Sequence, residues 1–171
     1  MALTWGVGLI FVLGSLSLSG LMINTTHSIP AGFYRSLPQK EPGRGDYVAY
    51  CPAENENTKM ALSRGYYPPG NCPARSSRVF KRVVALAGDH VLIDADRVSI
   101  NGAPLPHSAQ ITADNLGRPL PQYRFNRVLS ANEVLLMTNS SPTSFDGRYF
   151  GPVDQDQIIS VIQPIKTWSR K

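Results

Sequence analysis

VFKRVVALAGDHVLIDADRVSINGAPL, residues 79–105, decides the fold class. Val79 to Leu86 is rich in β-branched and apolar side chains, the composition that fits a half-buried pleated strand. Gly88-Asp89 turns the chain, and His90 to Ile93 reads as a second strand. The DAD triplet at 94–96 makes a hairpin turn, and Arg97 to Ile100 pairs back. Asn101-Gly102 follows, a dipeptide that tolerates the positive φ angles of a two-residue turn.

The same alternation of short strands and turns extends outward. Toward the N-terminus, Tyr47 to Tyr50 begins a strand after the turn KEPGRGD at 40–46, and Ser28 to Tyr34 is a strand or extended turn carrying Pro30 and Gly32. Residues 53–77 are polar and hold Gly65, Pro68, Pro69 and Gly70; they read as an excursion with one short helix around Lys59 to Arg64. Toward the C-terminus, residues 104–127 are Pro-rich and irregular, and Asn132 to Asn139 and Gln157 to Lys166 close as strands. The expected class is mostly β, an antiparallel domain of short strands with long connections. The 14 Gly and 14 Pro suit such a domain better than a helical bundle, and 171 residues give room for one modest domain plus one terminal segment.

That segment is ALTWGVGLIFVLGSLSLSGLMI, residues 2–23, which carries no charge. It has about the length needed to cross a hydrocarbon core as a helix, and its Gly and Ser are tolerated there. An uncleaved membrane anchor is the expectation, with residues 24–171 as the domain it carries. A cleaved signal peptide would want Lys or Arg ahead of the apolar run; a buried soluble helix is the remaining alternative. Arg35, Lys40 and Arg44 follow the segment, which by the positive-inside rule points to a cytoplasmic domain, yet long domains translocate regardless of such charges.

The two cysteines point the other way. Cys51 in AYCP and Cys72 in GNCP have no zinc spacing and form no CxxC. A structural disulfide on the oxidising side of the membrane is the preferred reading, with two unrelated free thiols as the alternative. The net charge of +5 is scattered. It serves solubility first and attraction to anionic lipid headgroups second. No basic helix, aromatic platform or Cys/His finger accompanies it, so nucleic acid is not an expected partner. Three His and two Cys make no metal set, and no phosphate loop or dinucleotide fingerprint occurs, so no cofactor is expected.

Five short patterns occur in one order: Ser28-Ile29-Pro30, Gly45-Asp46, Lys81-Arg82-Val83-Val84, Gly88-Asp89, and SFDGRYFGP at 144–152. Singly each is weak. Together, behind an apolar N-terminal segment, they resemble the type I signal peptidases, and more closely the TraF-type conjugative-transfer signal peptidases. SIPAGFY at 28–34 matches the Ser-x-Pro-x-Gly-x-Tyr stretch of the latter, and the KRV-x-A-x-AGD-like run and RYFGPV match as well. The likeness spans nearly the whole chain and implies a signal-peptidase-like β domain held at the bacterial inner membrane by a single pass, with the domain in the periplasm.

The resemblance implies a Ser–Lys pair, with Ser28 as nucleophile and Lys81 as general base. Elementary chemistry agrees: a serine hydroxyl needs a neighbour to take its proton, and a lysine does so only when burial lowers its pKa. Strand alternation puts Val79, Lys81, Val83 and Ala85 on one face and Arg82 on the other. The bland alternatives are a snorkelling edge-strand lysine and an exposed turn serine. Ser28 lies five residues past the apolar run, which would hold it at the depth of a leader-peptide cleavage site. By resemblance, the Ser28 N–H and the Thr26 hydroxyl supply the oxyanion hole. Ser144 would orient the Lys81 amine, and Asp146 and Arg148 would form an adjoining charge pair; the three share a face if the segment is extended. An exposed structural ion pair is the alternative for Arg148. Gly147 stands where many signal peptidases have Ser in an Asp-Ser-Arg run, and it is expected to loosen the segment. His27 adjoins Ser28, but neighbours in an extended strand point apart, which places it badly as a base.

The implied activity is serine endopeptidase removal of leader peptides from exported proteins. The implied substrate is a pilin precursor or another transfer-system protein, with ring closure of the product as an option. A housekeeping signal peptidase and a non-catalytic periplasmic β-module are the competing readings.

Overall fold

The computed structural model describes residues 20–26, 28–138 and 141–168. Among them run eleven strands: β1 Leu21–Asn24, β2 Ala31–Leu37, β3 Tyr47–Tyr50, β4 Val79–Ala85, β5 His90–Ile93, β6 Val98–Ile100, β7 Ala103–Pro104, β8 Phe125–Val128, β9 Glu133–Met137, β10 Val153–Asp154 and β11 Ile158–Trp168. Two short helices, α1 Glu56–Ser63 and α2 Gly147–Phe150, and a 3-10 turn Gln155–Gln157 interrupt them. The expected mostly-β, antiparallel class is what forms.

The strands make two sheets. A seven-stranded sheet has the order β1-β2-β11-β3-β4-β9-β10, and a four-stranded sheet has the order β7-β6-β5-β8. The second is the hairpin array read from the sequence: Val91 pairs Ile100, and Ile100 pairs Ala103 across Asn101-Gly102, both at positive φ (51° and 82°). The long strand β11 inserts between β2 and β3, and no local pattern announces that. It bends at bulges after Ile158 and around Pro164, where a proline's missing N–H costs the ladder nothing. At the β2–β11 contact, a Cβ on Gly32 would run into the Lys166 carbonyl, so only glycine fits.

Three apolar clusters hold the sheets. Val48, Tyr50, Val79, Val83, Val134, Leu136 and Val161 pack with Ala61 of α1 and the rings of Tyr67, Phe145 and Tyr149. Ala85, Leu135 and Met137 of the large sheet pack on Val91, Ile93, Val98 and Ile100 of the small one. Ile29, Tyr34, Ala49 and Ile162 fill a third cluster. Cys51 and Cys72 are bonded, with Cα atoms 5.4 Å apart, and close the excursion that carries α1. Asn55 caps that helix by accepting from the Thr58 N–H at 2.9 Å. The helix therefore starts three residues ahead of the Lys59 expected from sequence.

The apolar N-terminal run ends earlier than its hydropathy suggests. Leu21, Met22 and Ile23, expected as the last residues of a membrane helix, form β1 and pair with Arg35, Tyr34 and Phe33. Gly20, at φ +64°, leads into the strand, and its carbonyl accepts the Ser36 N–H at 2.8 Å. Backbone pairing with β2 wins over helical continuation there. Residues 2–19 of the expected anchor lie outside the described residues. Among the described residues no helix is long and apolar enough to cross a membrane.

Candidate active site

Lys81 is placed by the pleat of β4. Its neighbours on the same face, Val79, Val83 and Ala85, are buried, and Lys81 itself is 1% exposed. A fully buried ammonium loses its hydration, and this pushes the Lys81 pKa down to about 8. The Arg148 charge lowers it further, while Asp146 opposes the shift. The amine is not idle: Nζ donates to Ser28 Oγ at 2.9 Å and to Ser144 Oγ at 2.7 Å. The two hydroxyl oxygens stand 3.5 Å apart. The snorkelling alternative for Lys81 is excluded by its burial.

Ser28 reaches the same point from the connection between β1 and β2, not from a strand: β2 begins only at Ala31. The connection is held by side chains. Ile29 is buried in the third cluster. The Pro30 carbonyl accepts from the Tyr34 hydroxyl at 2.6 Å and from Asn24 Nδ2 at 3.1 Å. Thr26 Oγ1 donates to Asn24 Oδ1 at 2.8 Å and receives only a long 3.5 Å contact from the Ser28 N–H. The hydroxyl expected to face an oxyanion thus points to Asn24. His27 lies outside the described residues.

Asp146 and Arg148 differ from expectation in conformation and environment. The segment is not extended: Asp146 is the N-cap of α2, accepting from the Arg148 N–H at 3.2 Å. Arg148 Nε still meets Asp146 Oδ1 at 2.9 Å, and both side chains are 0% exposed. This is a buried pair, not the surface pair held as the alternative. Its remaining donors are spent on carbonyls of His107 at 2.8 Å, Ala109 at 3.3 Å and Pro142 at 3.0 Å. The pair ties the 104–111 excursion to the loop that carries Ser144. Gly147 does not loosen this region. A Cβ there would sit 2.7 Å from Leu135 Cδ1 and 2.8 Å from the Leu136 carbonyl, so glycine lets α2 lie against β9.

Ser28, Lys81 and Ser144 line a cleft of about 480 Å³. Sequence reasoning missed its far wall. Phe145 stacks on Tyr149 with centroids 5.5 Å apart and meets Tyr66 at 5.5 Å and Tyr67 at 6.0 Å. The Tyr66 hydroxyl donates to Asp114, which also pairs with Arg118 at 2.7 Å. Spread over two distant segments, 66–67 and 145–149, these rings gave no local signal. Asn24 was legible in principle, since an Asx residue two before a Thr is a local side-chain-to-backbone motif. Among the described residues no cluster of His, Cys, Asp or Glu could hold a metal ion.

The chemistry of this arrangement is that of a hydroxyl beside a readily deprotonated amine in an open cleft. Residues 2–167 match the family model described as signal peptidase, peptidase S26. A plasmid transfer protein TraF from Escherichia coli is 47% identical over 165 residues, covering 95% of this chain and 92% of that protein. A conjugal transfer protein TraF from Agrobacterium fabrum is 33% identical over 152 residues, covering 88% and 85%. A crystal structure of a signal peptidase I from Enterococcus faecalis aligns at 20% identity with a TM-score of 0.41, covering 72% of this chain and 98% of that one. With nearly all of its length matched, and a serine and a buried lysine meeting where the sequence pattern placed them, the chain belongs to the signal peptidase family, peptidase S26.

Proposed function

We propose that this chain is a membrane-anchored serine endopeptidase that removes leader peptides from exported proteins, and that it matures a pilin precursor or another protein of a conjugative transfer system. The observation that carries the reading is the buried Lys81 amine, 2.9 Å from Ser28 Oγ in the wall of an open cleft. In the neutral amine, Lys81 takes the Ser28 proton as Oγ attacks the scissile carbonyl. The resulting ammonium returns that proton to the departing amine as the C–N bond breaks, leaving an ester on Ser28. Neutral Lys81 then deprotonates water, whose oxygen attacks the ester and releases the leader as a carboxylate. Ser144 Oγ accepts from Nζ at 2.7 Å throughout and aims the amine. The transfer setting is supported by the likeness to the two TraF proteins, a plasmid transfer protein and a conjugal transfer protein. The anchor, the part of the uncharged run ahead of β1, and the periplasmic side rest on that run and on the Cys51–Cys72 bond.

The test is co-expression of the full chain with a leader-bearing pilin precursor of a conjugative transfer system, followed by intact-mass measurement of the product. A loss equal to the leader is expected, with Ser28→Ala leaving the precursor whole. Ring closure would need a second acyl-enzyme, on a carbonyl near the product's own C-terminus, whose ester the new N-terminal amine attacks in place of water; it would be read as loss of a C-terminal piece and a mass one water below that of the remaining linear segment. An unchanged precursor mass with folded wild-type enzyme would sink the transfer-system assignment.

A further inference from the structure

The geometry assigns Asn24 as a positioning residue for the nucleophile, a role that rests on the Ser28–Lys81 reading above. Asn24 ends β1, is 2% exposed, and uses its whole hydrogen-bonding capacity on the Ser28 loop. Its Nδ2 donates to the carbonyls of Ile29 at 2.8 Å, Pro30 at 3.1 Å and Thr26 at 3.2 Å. Its Oδ1 accepts from the Thr26 N–H at 3.0 Å and from the Thr26 hydroxyl at 2.8 Å. One side chain therefore grips the chain on both sides of Ser28, at Thr26 and at Ile29 and Pro30, without touching Ser28 itself.

Beyond Asn24, the loop is fixed after Ser28 by the buried Ile29 side chain and by the Tyr34 hydroxyl on the Pro30 carbonyl. Ser28 is on no strand, its N–H makes only the long 3.5 Å contact to Thr26, and its Oγ meets Lys81 and Ser144 by side chain alone. Three of the five Asn24 contacts replace what a ladder would do for a strand residue. Buried polar groups in such a network cost most when half of it is removed. A shift of about 1 Å in a reacting group costs on the order of 100-fold in rate.

The test compares kcat and KM of full-length enzyme in detergent on one leader-bearing precursor, for Asn24→Leu, Asn24→Asp, Ser28→Ala and Lys81→Arg. Asn24→Leu keeps the volume and removes all five hydrogen bonds; Asn24→Asp keeps the acceptor half. Asn24→Leu is expected to lose about 10- to 100-fold in kcat with KM within about twofold, and Asn24→Asp to lose kcat as well, because its second carboxylate oxygen would face the three carbonyls that the amide donates to. The pH midpoint of kcat in Asn24→Leu stays at the wild-type value, because the base is untouched. Wild-type kcat in Asn24→Leu, with Ser28→Ala and Lys81→Arg dead, overturns the positioning role alone. Cleavage by Lys81→Arg overturns the Ser–Lys reading beneath it. If circular dichroism shows Asn24→Leu unfolded, Asn24→Asp decides: lowered kcat at constant KM supports the role, and unchanged kcat rejects it.

Discussion

Lys81 sits on β4, a central strand flanked by β3 and β9, whereas Ser28 sits on the connection between β1 and β2 at the sheet's edge. The lysine is aimed by a backbone ladder and by apolar neighbours that occur at every second residue. The serine is aimed by polar side chains, Asn24 and Tyr34, that clasp carbonyls around it. A base must be buried to have a lowered pKa, and the interior of a sheet supplies that. A nucleophile, the role proposed for Ser28, must be reachable by substrate, and Ser28 stands where the ladder has ended and hydrogen bonds from side chains take over.

The sharpest way to break this division is chemical. Ser28→Ala and Lys81→Arg are each expected to cut the rate of processing by at least about 1,000-fold, since an acyl-enzyme needs both the hydroxyl and a base able to lose its proton. A guanidinium keeps its proton at any working pH. Normal cleavage by Lys81→Arg, read by mass spectrometry, would make the buried amine incidental and point to a histidine-based site.

The next largest effect is on stability. Arg148→Ala strands the fully buried Asp146 carboxylate and opens five carbonyl contacts, with an expected loss of about 3–5 kcal/mol in urea unfolding. Asp146→Asn keeps the helix cap and is milder. It also removes the charge that raises the Lys81 pKa, so the activity midpoint should move to lower pH. A midpoint that moves upward would show that the pair acts on Lys81 by some route other than charge.

Reduction of Cys51–Cys72 comes next, at about 3 kcal/mol for a separation of 21 residues in the chain-entropy picture. The loop it closes carries Tyr66 and Tyr67 of the cleft wall, so KM should rise more than kcat falls. Two thiols found by labelling the unreduced protein would remove the bond altogether. Gly147→Ala follows at roughly 1–3 kcal/mol, because the added methyl overlaps the Leu135 side chain and the Leu136 carbonyl. Unchanged melting of that variant would revive the idea that glycine merely loosens α2.

These effects also separate what the sequence could reveal from what it could not. Lys81 was legible because alternation is local: Val79, Val83 and Ala85 mark the buried face without knowledge of any partner strand. The small sheet was legible for the same reason, its turns lying two to four residues from the strands they join. Ser28 was found through the ordered motifs, not through local periodicity, and the strand expected there begins three residues later. The insertion of β11 between β2 and β3 and the aromatic wall of Phe145, Tyr66 and Tyr67 depend on contacts across most of the chain. The extended reading of 144–148 failed because alternation of Ser, Asp and Arg is equally served by an Asp capping a short helix.

The smallest expected signal tests the premise that the sheet interior sets the base. Lysine ordinarily titrates near 10.5, and the folded Lys81 at about 8. Because the folded value is the lower one, stability from this group is greatest above 10.5 and is lost as pH falls through about 8. Between those values the unfolded chain holds one proton more than the folded one, so raising the pH stabilises the fold by at most about 1.4 kcal/mol per unit. From pH 8 to pH 9 the gain is about 1 kcal/mol, since the folded amine is half protonated at the start. Tyr34, pushed up to about 12 by burial, works in the opposite direction only as unfolded tyrosine ionises near pH 10. Urea unfolding of wild type and Lys81→Met at pH 8 and pH 9 isolates the term. The wild type should gain about 1 kcal/mol relative to the variant across that step. Parallel behaviour of the two proteins would mean that Lys81 titrates like an exposed lysine, and that β4 places the amine without preparing it as a base.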